Sequence, residues 1–199
     1  VSDVVGVDEF ALPAKPVDEF IQGWESVLDR AIGAKDPYTI TIVGAGAGGV
    51  ELALMIRHRV SGLCKEIGKD PGLVKINVVT DEDVIVPSHN GNVRKRLMRS
   101  LYRSDVRVHV GQRVVTVEKG SIRTDSGQVI AGDSVVWVTN AGTPKWLGDC
   151  GLYVNDDGFV LIDQTLRTMS HENIFATGDV ATLEKFPRPK SGVFAVRQG

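Results

Sequence analysis

Gly44, Gly46 and Gly49 stand in the spacing G-x-G-x-x-G, with Ala45 and Ala47 in the gaps. Five β-prone residues, Thr39 to Val43, run straight into them, and an apolar helical pattern follows. Each glycine has its own mechanical task. Gly44 lets the chain turn sharply out of a strand. Gly46 lacks the Cβ that would keep a diphosphate off the backbone. Gly49 lets the helix pack close against the strand. A diphosphate would then rest on free amides at the positive end of the helix dipole. The strand before and the helix after are the context that separates a dinucleotide site from an ordinary strand-to-helix turn.

A second set of groups belongs at the end of the next strand, where a dinucleotide places the ribose nearer its adenine. An acid there accepts a hydrogen bond from the 2′-hydroxyl and repels a 2′-phosphate. The residues are Thr80, Asp81, Glu82 and Asp83. Asp81 lies further past Gly49 than the usual ~20 residues, and a long intervening helix accounts for the excess. Three acids favour NADH over NADPH. The basic run Arg94-Lys95-Arg96 on the following helix pulls the other way.

These groups must be carried by alternating strands and helices. Residues 1–14 read as a tail or connector. A helix begins at Lys15-Pro16-Val17-Asp18, buries Phe20, Ile21, Trp24, Val27, Leu28 and Ile32 on one face, and stops near Gly33. Strand 38–43, helix 48–67 and strand 74–80 form a β-α-β unit. Asn90 caps a helix to Arg103 whose charges read as a solvated face, and strand 106–110 follows. The period then changes to two. Segments 114–118, 121–124 and 128–130 are short strands joined at Lys119-Gly120 and Asp125-Ser126-Gly127. Strand 134–138 delivers Thr139 to Pro144. Asn173 to Val180 again reads as a strand into a glycine turn, now with the acid Asp179, and a helix opens at Gly192. The fold class is α/β: a Rossmann-like parallel sheet with an inserted antiparallel β-meander.

Composition excludes several functions. The 199 residues are 42% hydrophobic with a net charge of −2, enough for a proper core and no electrostatic argument for nucleic acid. No apolar run is long enough to span a membrane and no signal peptide is visible, which points to the cytoplasm and leaves a peripheral membrane contact open. Cys64 and Cys150 are isolated and read as small buried hydrophobes in a reducing compartment. His58, His89, His109 and His171 have no metal-binding spacing and read as structural or surface residues. No metal site is expected.

The ordering as a whole resembles the two-dinucleotide flavoproteins, the pyridine nucleotide-disulfide oxidoreductases, over nearly all of residues 15–199. Its markers are Gly44 to Glu51, the meander, Val135 to Pro144, and Asn173 to Ala181. In texture it is similar to the type II NADH dehydrogenase-like branch, including flavoproteins fused to selenide, water dikinase. Leu12 to Asp18 and Pro187 to Gly199 carry that finer resemblance. The resemblance implies NAD(P)H, with NADH favoured, on Gly44, Ala45, Gly46, Ala47, Gly49, Thr80 and Asp81. It places Glu51 near the nicotinamide as a positioning residue. It sets Thr139, Asn140 and Gly142 beside the same cofactor, with Asn140 where a glycine is usual. It implies FAD against Gly178, Asp179, Lys190, Gly192 and Val193. The helix from Gly192 would aim its positive end at the flavin, stabilising negative charge on the reduced ring. The implied reaction is hydride transfer from NADH to FAD and on to an acceptor such as a quinone, with no acid–base catalyst named.

The implied organisation is a connector and helix over 1–36, an NAD(P)H-binding domain over 37–145, and a return segment of the FAD-binding domain over 146–199. A partnership with selenide, water dikinase and a homo-oligomer are further implied partners. The family's first G-x-G-x-x-G, which holds FAD, is not in this sequence. The expectation is therefore a fragment that does not hold FAD tightly alone. No C-x-x-C is present for dithiol chemistry. A short-chain dehydrogenase would need Y-x-x-x-K, but Tyr38, Tyr102 and Tyr153 are followed four residues on by Ile42, Val106 and Asp157. A methyltransferase would place an acid just before the glycines, where Ile42 and Val43 stand. A non-catalytic dinucleotide-sensing or interaction module remains as the alternative.

Overall fold

The structure is a computed structural model that describes residues 4–138, 143, 146–187, 190 and 192–198, with the backbone alone at 192–194. The chain divides into two compact units, residues 1–139 and 140–199.

The first unit runs α1 (Val7–Phe10), β1 (Ala11–Pro13), α2 (Val17–Gly33), β2 (Tyr38–Val43), α3 (Ala47–Glu66), β3 (Val74–Val79), α4 (Gly91–Arg103), β4 (Val106–His109), β5 (Val114–Glu118), β6 (Gly120–Thr124), β7 (Val129–Gly132) and β8 (Ser134–Trp137). Five strands form a parallel sheet in the order β1-β8-β2-β3-β4. β5, β6 and β7 form a separate antiparallel meander.

The central strands are apolar on both faces because both faces are covered. Ile40, Ile42, Ile76, Val78 and Val136 are buried in one cluster with Val27 and Ala31 of α2 and with Val50, Ala53 and Ile56 of α3. Their neighbours along the same strands, Val43, Val79 and Val135, point the other way and meet Val117, Ile122 and Ile130 of the meander. The period of two thus sorts each strand between helices and meander. Thr41 and Asn77 are two of the polar residues on the meander face. Thr41 Oγ1 donates to the Ala131 carbonyl at 2.6 Å and accepts from Asn77 Nδ2 at 3.2 Å, so neither is stranded. Asn90 caps α4, its Oδ1 accepting from the amides of Asn92 and Val93.

One expectation is corrected here. Residues 7–13 are not a connector: β1 is an edge strand with Leu12 in register with Val136 of β8. Three residues are too few to show an alternation. Pro13 has no N–H to give, which a sheet tolerates only at its edge.

The second unit contains α5 (Trp146–Asp149), β9 (Val160–Ile162), β10 (Ala181–Leu183) and α6 (Gly192–Gln198). β9 and β10 pair in parallel, and Leu147, Val160, Ile162 and Ala181 form the core. Asn173 to Val180 is not a strand running into a turn. A single bridge joins Phe175 to Arg167, and the strand comes after the glycine, as β10. Phe175 is 64% exposed. Its apolar character suggested a buried strand that the neighbouring chain does not supply. Cys64 is buried, but Cys150 is exposed just past α5, its thiol donating to the Leu147 carbonyl. No helix among the described residues is long and apolar enough to cross a membrane.

Candidate functional site

β2 lies at the centre of the parallel sheet. β3 follows it on one side and β8 lies on the other. Strand order therefore reverses at β2, and the crevice beyond the carboxyl ends of such strands is where open α/β sheets take ligands. Gly44 opens that crevice. Its φ is +114°, and its amide donates to the Val79 carbonyl at 2.8 Å, tying the turn to β3.

Gly46 is the N-cap of α3, and no side chain caps the helix. The first-turn amides of a 20-residue helix are left for a partner outside the fold. A Cβ built on Gly46 meets nothing within 4 Å, so the space over these amides is open. A Cβ on Gly49 would fall 1.9 Å from the Gly44 carbonyl oxygen. The motif's two later glycines thus answer different needs, one facing open space and one facing the protein. Ala45 is buried, while Ala47 and Glu51 are exposed on or beside the first turn of α3.

The segment after β3 straps this turn. The Val86 amide donates to the Ala45 carbonyl at 2.8 Å, and Ile85 and Val86 are both buried. Val86 holds φ +42°, a conformation costing a β-branched residue roughly 1–3 kcal/mol. Its hydrogen bond and burial offset that strain and fix the glycine turn in place.

Thr80 and Asp81 end β3. The Thr80 amide donates to the His109 carbonyl, its own carbonyl accepts from Gln112, and its Oγ1 accepts from the Glu82 amide at 3.3 Å. Thr80 therefore holds the acidic turn in shape. The Asp81 side chain is 57% exposed, with Arg113 Nε 4.0 Å from its Oδ2. A cavity of about 280 Å³ joins the two halves of the site, lined among others by Gly44, Thr80, Asp81, Gln112, Arg113 and Trp137. The glycine turn and the acid were read from the sequence. Gln112, Arg113, Trp137 and the Val86 strap were not, since no motif spacing links them to the glycines. Arg113 enters only because the β4–β5 connection returns past the end of β3.

His109, at the end of β4, has a buried Nε2 with no hydrogen-bond partner. Burial, and after it the charge of Arg107, holds this imidazole below its ordinary value of 6.5. Among the described residues no group of His, Cys, Asp and Glu could hold a metal ion. Thr139, Asn140 and Gly142 lie outside the described residues.

In the second unit, Gly178 (φ +74°) opens a short 3-10 turn carrying Asp179. A Cβ on Gly178 would lie 3.5 Å from that of Ala195, so α6 packs on this turn. Lys190 Nζ donates to the Ala181 carbonyl and lies 4.1 Å from the centroid of the Phe159 ring. Burial draws its pKa down, opposed by Asp179 and Asp157. Gly192 and Val193 open α6.

The sequence profile of the family described as pyridine nucleotide-disulphide oxidoreductase matches residues 10–199. The chain is 28% identical over 148 residues to the type II NADH:quinone oxidoreductase of Haemophilus influenzae, covering 72% of this chain and 33% of that one. It is 31% identical over 208 residues to the alternative NAD(P)H-ubiquinone oxidoreductase C1 of Arabidopsis thaliana, covering 91% and 37%. It thus spans about a third of the length of these curated relatives. Its fold matches NDH2 from Plasmodium falciparum in complex with NADH with a TM-score of 0.78 at 18% identity, covering 92% of this chain and 41% of that one. An FAD-dependent pyridine nucleotide-disulphide oxidoreductase from Desulfovibrio vulgaris matches with a TM-score of 0.65 at 28% identity, covering 100% and 48%.

Proposed function

Because the chain belongs to the pyridine nucleotide-disulphide oxidoreductase family, we propose that it is the NAD(P)H-binding portion of an FAD-dependent NADH dehydrogenase-like enzyme. The single observation that carries this reading is the uncapped start of α3 at the point where strand order reverses, with open space over Gly46.

The residues fit a dinucleotide. The amides of Gly46 to Gly49 would receive the diphosphate, and the helix dipole would favour its charge. Asp81 would accept from the adenosine ribose, and Trp137 and Gln112 would shape the cavity between. Glu51, one turn into α3, would orient the nicotinamide end, together with Thr139, Asn140 and Gly142. In the second unit, Gly178, Asp179, Lys190, Gly192 and Val193 would face the flavin, with Lys190 supplying a cation next to its phosphates. When bound, the two cofactors supply the hydride chemistry, from nicotinamide to flavin. The protein binds, orients and excludes water; no side chain of this chain is assigned a proton transfer. The acceptor that fits the relatives' names is a quinone, which would bring the whole enzyme to a membrane surface. The domain division at 37–145 and 146–199, a homo-oligomer and a selenide, water dikinase partner are parts of the same reading.

Calorimetric titration of the chain with NADH, followed by a dye-reduction assay with added FAD in the intact enzyme, tests it. The reading requires one NADH per chain and turnover with flavin. Binding without turnover in the intact enzyme would favour a sensing module instead.

A further inference from the structure

The outer edge of β4 and the adjoining face of α4 take no part in the dinucleotide site. β4 is the last strand of the sheet, and among the described residues no strand pairs with its far side. The His109 carbonyl bonds inward to the Thr80 amide. By the alternation of a parallel ladder, Val108, and Val110 just beyond the strand, turn their amides and carbonyls outward. Alongside runs a groove of about 1170 Å³ between this edge and α4. Lys95, Arg99, Arg103 and Arg107 line it, with Tyr102 83% exposed and Met98 and Val110 partly so. One acid, Asp105, also lines it, and Arg57 already engages that carboxylate at 3.9 Å.

Unpaired strand edges are commonly protected by charge, and these cations would repel the same edge of a second copy, which brings the same charge. They do not repel an acidic chain. They concentrate it, against a molecule whose net charge is −2. The 13 residues of α4 extend about 20 Å, the length of a strand of about six residues. A groove with backbone donors and acceptors along one wall and apolar patches between cations suits an extended chain better than a flat bilayer.

We propose that the β4–α4 groove docks an extended acidic peptide segment of a partner protein. It would add as a strand to β4, set its carboxylates against Lys95, Arg99, Arg103 and Arg107, and lay apolar side chains on Met98 and Tyr102. This surface goes beyond the dinucleotide reading and does not depend on it.

The test is fluorescence anisotropy of the full 199-residue chain with a labelled eight-residue peptide alternating glutamate with valine and tyrosine. The expected result is saturable, salt-sensitive binding. The double variant Arg99→Glu, Arg103→Glu should weaken it by about tenfold or more, while Arg99→Lys, Arg103→Lys largely preserves it. Both sites are exposed, and unchanged circular dichroism certifies the fold. A second peptide, N-methylated at alternate residues so that it cannot pair with a strand edge, should also lose about tenfold. Equal binding of the N-methylated peptide would overturn strand addition. Equal competition by anionic vesicles or an oligonucleotide of matched charge would replace the peptide groove with a general polyanion surface. No binding at all, or a concentration-dependent dimer blocking the peptide, would end the proposal.

Discussion

Replacing Gly46 and Gly49 one at a time by alanine should separate binding from folding within a single motif. A methyl on Gly49 would sit 1.9 Å from the Gly44 oxygen, against the 3.4–4 Å of ordinary contact. The start of α3 must therefore move by about 1.5 Å away from β2. Such overpacking costs roughly 1–3 kcal/mol, offset by about 1 kcal/mol from alanine's better helix propensity. At ~2–4 °C per kcal/mol for a chain of this size, Gly49→Ala should lower Tm by several degrees. A methyl on Gly46 meets nothing within 4 Å, and φ −66° suits alanine. The cost there is a weaker N-cap, under about 1 kcal/mol, so Tm barely changes. The methyl nevertheless stands where the diphosphate must approach. Losing one charge-assisted bond of roughly 1.5–3 kcal/mol predicts NADH binding weaker by about 10–150-fold. Thermal melts and NADH calorimetry on the two variants read both effects. Wild-type affinity in Gly46→Ala would refute the placement of the diphosphate. Wild-type stability in Gly49→Ala would refute the packing.

Asp81→Asn should shift selectivity toward NADPH by removing the repulsion of a 2′-phosphate, and Arg113→Gln in that background should reverse the gain. Paired Kd values for NADH and NADPH check this, and a change in both cofactors alike would contradict it. His109 binds its proton less readily in the folded state than in the unfolded one. Its destabilising contribution is absent above pH 6.5 and grows as pH falls below that value. Urea midpoints between pH 7.5 and 5.5 should therefore fall less in His109→Gln than in the wild type; equal slopes would discount His109. The purified chain should be colourless and take up FAD only weakly, because its one G-x-G-x-x-G serves the other nucleotide. A flavin absorbance of one per chain would reject that.

The parallel core was legible because its strands are long, apolar and separated by a helix with clear caps: Asn90, Gly44 and Gly46 mark their own positions. The meander was legible from its change of period. β1 was not, because three residues ending in a proline carry no alternation, and their pairing with β8 is decided by chain folding far away. The stretch from Asn173 was misread because exposed Ile174 and Phe175 resemble buried ones in sequence. Asp81 was legible from its place at the end of the strand that follows the glycine turn, although its spacing from Gly49 is longer than usual. Arg113 and the Val86 strap were not, since their places depend on how the β3–α4 and β4–β5 connections cross the sheet end.

A crystal structure of the chain with saturating NADH tests the central claim most directly. The diphosphate oxygens should lie about 2.7–3.1 Å from the amides of Gly46 to Gly49, with the adenosine ribose beside Asp81. Electron density for the nucleotide elsewhere, or an empty crevice at the end of β2 under saturation, would contradict it.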